Sequence, residues 1–84
     1  MSLSIIIPVF NEIDQLKVTI KKLTLLKKKI KKIEIIFIDD FSKDKTFNFL
    51  KSKTKTKKYN FISVFKNKKK GLGSAIHNGI IKSK

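Results

Sequence analysis

The hydrophobic pattern alternates between two kinds of segment. Residues 3–9 form a near-continuous, isoleucine-rich run, which fits a strand buried on both faces. Next, Ile13, Leu16, Ile20 and Leu23 recur at helical spacing, marking one face of a helix expected to end near Leu26, before a basic connection at residues 27–32. A second strand is read at 33–39, a polar turn at 40–44, and a helix near 45–53 with Phe47 and Leu50 turned inward. Asp44 is placed in the first turn of that helix, where a carboxylate meets the positive end of the helix dipole, and Ser42 is its candidate cap. Residues 52–58 read as a solvated linker, 59–65 as a third strand and 66–70 as a basic loop. The last helix begins near Gly71 or Leu72 and carries Leu72, Ala75, Ile76, Gly79 and Ile80 on its apolar face.

Strand and helix alternate at roughly 25 to 30 residues per unit, the spacing of successive βαβ elements. The expected fold class is α/β, a parallel three-stranded sheet with helices on both faces. Right-handed crossovers place the strands side by side. Eighty-four residues suffice for one domain, and the chain is expected to stop inside the third helix, before any fourth strand.

Charge changes this picture less than its size suggests. The formal charge of +15 rests on 21 lysines without one arginine. Readers of nucleic acid sequence depend on the planar arginine fork, so nucleic acid is not the expected partner. Solvated lysine faces and a polyanion or anionic-membrane surface both remain open. There is no cysteine, which removes disulfides and thiolate metal sites. No apolar run approaches the roughly 18 to 20 residues of a spanning helix. A soluble, cytoplasmic chain is the expectation.

Candidate chemistry collects at the carboxyl ends of the first two strands. One run leads into Asn11 and Glu12, the other delivers Asp39 and Asp40 into the turn, and ligands of open α/β sheets bind outside those ends. Neighbouring strand residues point to opposite faces, so the two aspartates do different jobs: at most one faces a ligand, and the other orients the turn. A pair that merely caps and solubilises is the alternative. Gly71-Leu72-Gly73 fails the dinucleotide fingerprint because Ile76 stands at the third glycine position. It reads either as a glycine-permitted turn or as a phosphate-holding loop. His77 has no second histidine or cysteine with which to share a metal.

Three blocks resemble family 2 glycosyltransferases of the GT-A fold, the dolichol-phosphate mannosyltransferase-like branch especially. Residues 4–12 are similar to the family's opening I-I-P-x-[YF]-N-E, residues 38–46 to its D-D-x-S-x-D-x-T, and residues 70–79 to its K-G-L-G-x-A-x-x-x-G. Phe41 and Lys45 depart from it, standing where small residues or glycine are usual, so a less tightly formed turn is expected; Phe10 lacks the hydroxyl of the frequent tyrosine.

The resemblance implies the N-terminal, nucleotide-binding part of a Rossmann-like domain. It also implies a nucleoside-diphosphate sugar as donor, a Mg2+ or Mn2+ ion, and an acceptor such as a polyprenyl phosphate at a membrane surface. By motif position Pro8, Phe10 and Glu12 would line the base and ribose pocket, Ile38 and Asp40 would contact the nucleoside, and the segment starting at Lys70 and Gly71 would close the pocket. The family's metal-binding D-x-D comes later, and no Asp or Glu follows Asp44 here. The resemblance therefore implies a fragment inactive alone, truncated or cut, whose free sheet edge favours self-association. The competing expectation is a lysine-rich module for RNA or an anionic membrane.

Overall fold

The computed structural model describes residues 2–82. Strands β1 (Ser2–Val9), β2 (Lys32–Asp39) and β3 (Ile62–Lys66) are each followed by a helix: α1 (Ile13–Lys29), α2 (Thr46–Thr54) and α3 (Leu72–Lys82). The strands are parallel in the order β1-β2-β3, with Ser2 opposite Lys32 and Ile35 opposite Ile62. β2 is paired on both edges and covered on both faces, which is why Ile35, Ile36, Phe37 and Ile38 are all buried.

Period-two alternation along the strands sorts the core into two halves. Leu16, Ile20 and Leu23 of α1 and Leu50 of α2 pack on Ile35, Phe37, Ile62 and Val64. On the opposite face, Ala75 of α3 packs on Ile36 and Ile38, with Ile6 and Phe65 alongside. The α/β class, the parallel sheet and helices on both faces are thus as the pattern predicts.

Several local expectations are corrected. α1 runs one turn beyond Leu26, to Lys29, and the basic connection shrinks accordingly. Lysine is a good helix former, cations are favoured near a helix carboxyl terminus, and Leu26 and Ile30 still pack against the core. Asp44 lies outside α2, and Ser42 does not cap it: Lys45 holds the cap position with no side-chain bond. The proposed linker is structured, since α2 continues to Thr54 and a 3-10 turn covers Lys57–Tyr59. That turn removes Tyr59 and Asn60 from the third strand, which starts at Ile62, although the Phe61 carbonyl already accepts the Ile35 N–H at 2.8 Å.

The largest correction concerns α3. Ala75, Asn78 and Gly79 face the sheet, whereas Leu72, Ile76 and Ile80 are exposed. Gly79 explains the rotation. A Cβ there would meet Ile6 Cγ2 at 2.2 Å, so the helix approaches β1 through its smallest residue and its bulky stripe is turned aside. Among the described residues no helix is long and apolar enough to cross a membrane.

Candidate functional site

The loops after β1 and β2 are tied to each other by side chains. Asn11 takes a left-handed backbone (φ 48°), a conformation asparagine tolerates better than most residues. Its N–H donates to Ser42 Oγ at 2.9 Å, and its Oδ1 accepts the N–H groups of Lys43 at 2.7 Å and Asp44 at 3.2 Å. The Glu12 N–H donates to the buried Thr46 hydroxyl at 3.0 Å, and Asp44 Oδ1 accepts the Thr46 N–H at 2.9 Å. Hydrogen bonds from Thr46, its hydroxyl foremost, hold the Asp44 carboxyl below the usual carboxylate range against a smaller opposing effect of burial. The turn is therefore firmly formed despite Phe41, which itself sits at φ 64°.

The two aspartates divide as strand geometry requires. Asp39 is only 3% exposed; its Oδ2 accepts the Ser42 N–H at 3.2 Å and its Oδ1 is buried without a hydrogen-bond partner. Asp40 turns to the loop after β3. Its Oδ1 accepts the Gly71 N–H at 2.9 Å and Asn67 Nδ2 at 3.0 Å. The Gly71 amide is the main reason the Asp40 carboxyl is held below the usual range; Asn67 and the nearby Lys70 charge act in the same direction, and burial opposes them. Gly71 has φ 128°, a conformation only glycine adopts without strain.

Asn67 is the hub of this side. It is buried, its Nδ2 also donates to the Gly71 carbonyl at 3.2 Å, and its Oδ1 accepts from Ser74 Oγ at 3.1 Å and Asn78 Nδ2 at 2.6 Å. One side chain thus joins the end of β2, the loop after β3 and two turns of α3. The pattern of apolar residues gave no sign of it. Its only signal is an uncharged amide in a run of lysines, and Asn78 is likewise a polar residue beside an apolar stripe.

The sequence-derived residues are distributed as follows. Pro8 lies in β1; Phe10 and Glu12 are exposed in the following loop, with Glu12 Oε1 accepting the Phe10 N–H at 3.1 Å. Asp40, Lys70 and Gly71 come together at the β2–α3 junction. Ile38 is wholly buried beneath α3 and presents no side chain at the surface.

A cleft of about 410 Å³ opens on the α2 side of the same end, between Asp39, Phe41, Asp44, Phe47, Lys66 and Asn67, and none of the seven predicted residues lines it. A larger open hollow of about 710 Å³ lies at the amino ends of the strands, by Ser4 and Glu34. The carboxyl ends remain the better candidate, because there the loops converge and open α/β sheets bind ligands. Divalent ions of the Mg2+ type need several oxygen ligands. Among the described residues no group of three acidic, histidine or cysteine side chains could hold a metal, so the residues present do not fit the metal ion that the resemblance implies.

Parallel strands, helices on both faces and loops gathered at the carboxyl ends define the N-terminal, Rossmann-like part of a GT-A fold. The model of the family described as Glycosyl transferase family 2 matches residues 4–84, and the chain belongs to that family. No curated protein matches the chain. Membership implies, in general, a nucleotide-sugar donor and an acceptor.

Proposed function

We propose that the loops at the carboxyl ends of β1 and β2 bind the nucleoside part of a nucleoside-diphosphate sugar. The observation that carries this reading is the Asp40 clamp, in which one carboxylate oxygen, Oδ1, orders both Asn67 and Gly71. Both of those bonds fall on Oδ1, leaving Oδ2 to accept a base N–H or a ribose hydroxyl. Pro8, Phe10 and Glu12 line the base and ribose side, Lys70 and Gly71 close the pocket towards the phosphates, and Ile38 supports its floor from beneath. On this reading the acceptor is a polyprenyl phosphate at the inner face of a membrane, as in the dolichol-phosphate mannosyltransferase-like branch, and the chain works on the cytoplasmic side. Sugar transfer needs a group to stabilise the charge on the departing diphosphate, commonly a carboxylate-held metal. Residues 45–84 carry no carboxylate to hold such an ion, so the role we assign to these loops is donor binding and not turnover.

Titration of labelled protein with UDP and GDP, followed by NMR, tests the pocket. Base and ribose contacts alone should give a dissociation constant near the millimolar level, about 4 kcal/mol, and magnesium should change it little. Because Asp40→Ala also frees the Asn67–Gly71 loop, Asn67→Ala is the control, loosening the loop while keeping the carboxylate. Shifts at Glu12 and Asp40 that survive Asn67→Ala but vanish in Asp40→Ala support the pocket. Shifts confined to lysines, abolished by salt and reproduced by an unrelated RNA, overturn it in favour of a basic module.

A further inference from the structure

The outer side of the α1–α2 layer carries charge of one sign. α1 holds six lysines, α2 and the 3-10 turn after it add more, and beyond Asp14 none of these elements has a carboxylate. α3, on the opposite face of the sheet, carries lysine only at its end, Lys82. The positive charge is therefore concentrated on one helical layer.

The lysines of α1 are ordered around an apolar line. With Leu16, Ile20 and Leu23 turned to the sheet, a step of about 100° per residue puts Val18 and Leu25 on the side facing away from it. They are 50% and 60% exposed and stand two turns apart. The exposed Lys21 and Lys28 flank that line on one side, Lys22 and Lys29 on the other. Such a helix suits a bilayer interface: the apolar ridge enters the boundary of headgroups and acyl chains, and the lysine stems pack beside it while their ammonium groups stay among the phosphates. Between α1 and α2 a hollow of about 310 Å³ has Ile20, Phe49 and Tyr59 among its walls and Lys17, Lys21 and Lys53 as its cations, which gives an anionic headgroup a place beside the ridge.

We infer that this face docks on an anionic lipid bilayer, with α1 lying in the plane of the interface and Val18 and Leu25 entering it. No helix among the described residues is long and apolar enough to cross a membrane, so the contact is made from the surface. Nucleic acid would engage the lysines but gain nothing from Val18 and Leu25, and the chain has no arginine with which to fork a phosphate or a guanine. The face is separate from the donor loops. α1 begins at the carboxyl end of β1 and must run back along the sheet, because β1 and β2 are parallel. Its later lysines thus lie towards the amino ends of the strands, and the loops at the other end stay open to a soluble donor while the chain is held at the bilayer. The choice of the cytoplasmic leaflet rests on the reading above; the docking face does not.

Cosedimentation of the full chain with lipid vesicles tests this. Phosphatidylcholine vesicles containing about one-third phosphatidylserine should retain the chain at low salt and release most of it as the screening length falls from about 10 Å at about 0.1 M to about 3 Å at about 1 M. Pure phosphatidylcholine should not retain it. The combined variant Lys21→Gln, Lys22→Gln, Lys28→Gln, Lys29→Gln should bind at least about tenfold more weakly. Val18→Ser with Leu25→Ser, which leaves the charge unchanged, should weaken binding several-fold. The chain has no tryptophan, so Leu25→Trp reports the ridge directly: its emission should shift to the blue on anionic vesicles, whereas that of His77→Trp, at an exposed position of α3, should not. No retention by anionic vesicles overturns the proposal. Retention that is indifferent to the serine pair and leaves the Leu25→Trp emission unmoved also overturns it, reducing the contact to diffuse lysine attraction. Preference for an unrelated RNA over the vesicles, unaffected by the serine pair, overturns it in favour of nucleic acid. The lysine variant should keep the nucleotide shifts at Glu12 and Asp40, so failure of the docking face and failure of the donor pocket are read separately.

Discussion

The two faces of the sheet are built from different materials. On the side of α1 and α2 the contact is almost wholly aliphatic and aromatic, a continuous layer from Leu16 to Val64. On the side of α3 the buried apolar cluster is Ile36, Ile38 and Ala75, and beside it stands a hydrogen-bonded set of Asp40, Asn67, Ser74 and Asn78. Apolar burial is non-directional and roughly proportional to area, whereas hydrogen bonds fix angle and register. The first face therefore supplies stability, and the second sets the shape of the loops at the candidate site.

Adjacent residues of β2 offer the strongest test of this division. Phe37, at 0% exposure, points to the thick face, and Ile36, at 1%, to the thin one. Phe37→Ala should cost about 3 to 5 kcal/mol, a large part of the roughly 4 to 12 kcal/mol expected for a domain this size. Ile36→Ala should stay near the lower end for its type, about 2 kcal/mol. Equal losses in urea titrations of the two variants would break the comparison.

Next in size is Asn67→Ala, about 2 kcal/mol, because it strands the partners of a buried amide. Its loss should also change the acid response. A carboxylate depressed on folding contributes stability that is complete above its unfolded value and disappears as pH falls through the lower, folded one. In the parent chain the resonances of Asn67 and Gly71 should thus hold until the pH drops below about 4, the ordinary aspartate value; in Asn67→Ala, which keeps the Gly71 bond, the Asp40 transition should move up towards that value. NMR titration of the Asp40 carboxyl carbon in both proteins measures the difference.

Gly79→Ala follows, at about 1 kcal/mol. The gain in helix propensity is outweighed by forcing Ile6 aside, and Ile6→Val in the same chain should restore part of the loss. Smallest is Phe41→Asn, which should raise stability by about 0.5 to 1 kcal/mol by relieving a left-handed backbone, while Phe41→Val should lower it. Thermal unfolding of the pair decides the sign.

Strand positions were readable because burial on both faces of a parallel sheet writes itself as a continuous apolar run, and residues 33–39 show this plainly. Asp39 and Asp40 were likewise legible as a divided pair, since alternation is a property of the backbone. What could not be read depended on contacts between distant residues. The stripe of Leu72, Ile76 and Ile80 looks like a buried face until Gly79 meets Ile6 and turns the helix. Asn11, Thr46 and Asn67 organise the loops through bonds to residues about 30 positions away or across a strand, and no local period marks them. Ser42 looks like a cap by its neighbours, but its hydroxyl is taken by Asn11.

The register carries a consequence for how the chain reaches this state. Ser2 lies opposite Lys32 and Ile35 opposite Ile62, so no strand can find its neighbour until an intervening helix has been spanned. Chains whose pairings are this remote in sequence collapse slowly and expose their strands while they do so. β2 is common to both pairings, which makes it the natural nucleus. On a ribosome its partner β1 would already have emerged and β3 would follow, so the βαβ unit of β1, α1 and β2 is the first piece able to hold together, and the Asn67 hub can close only when α3 has left the tunnel.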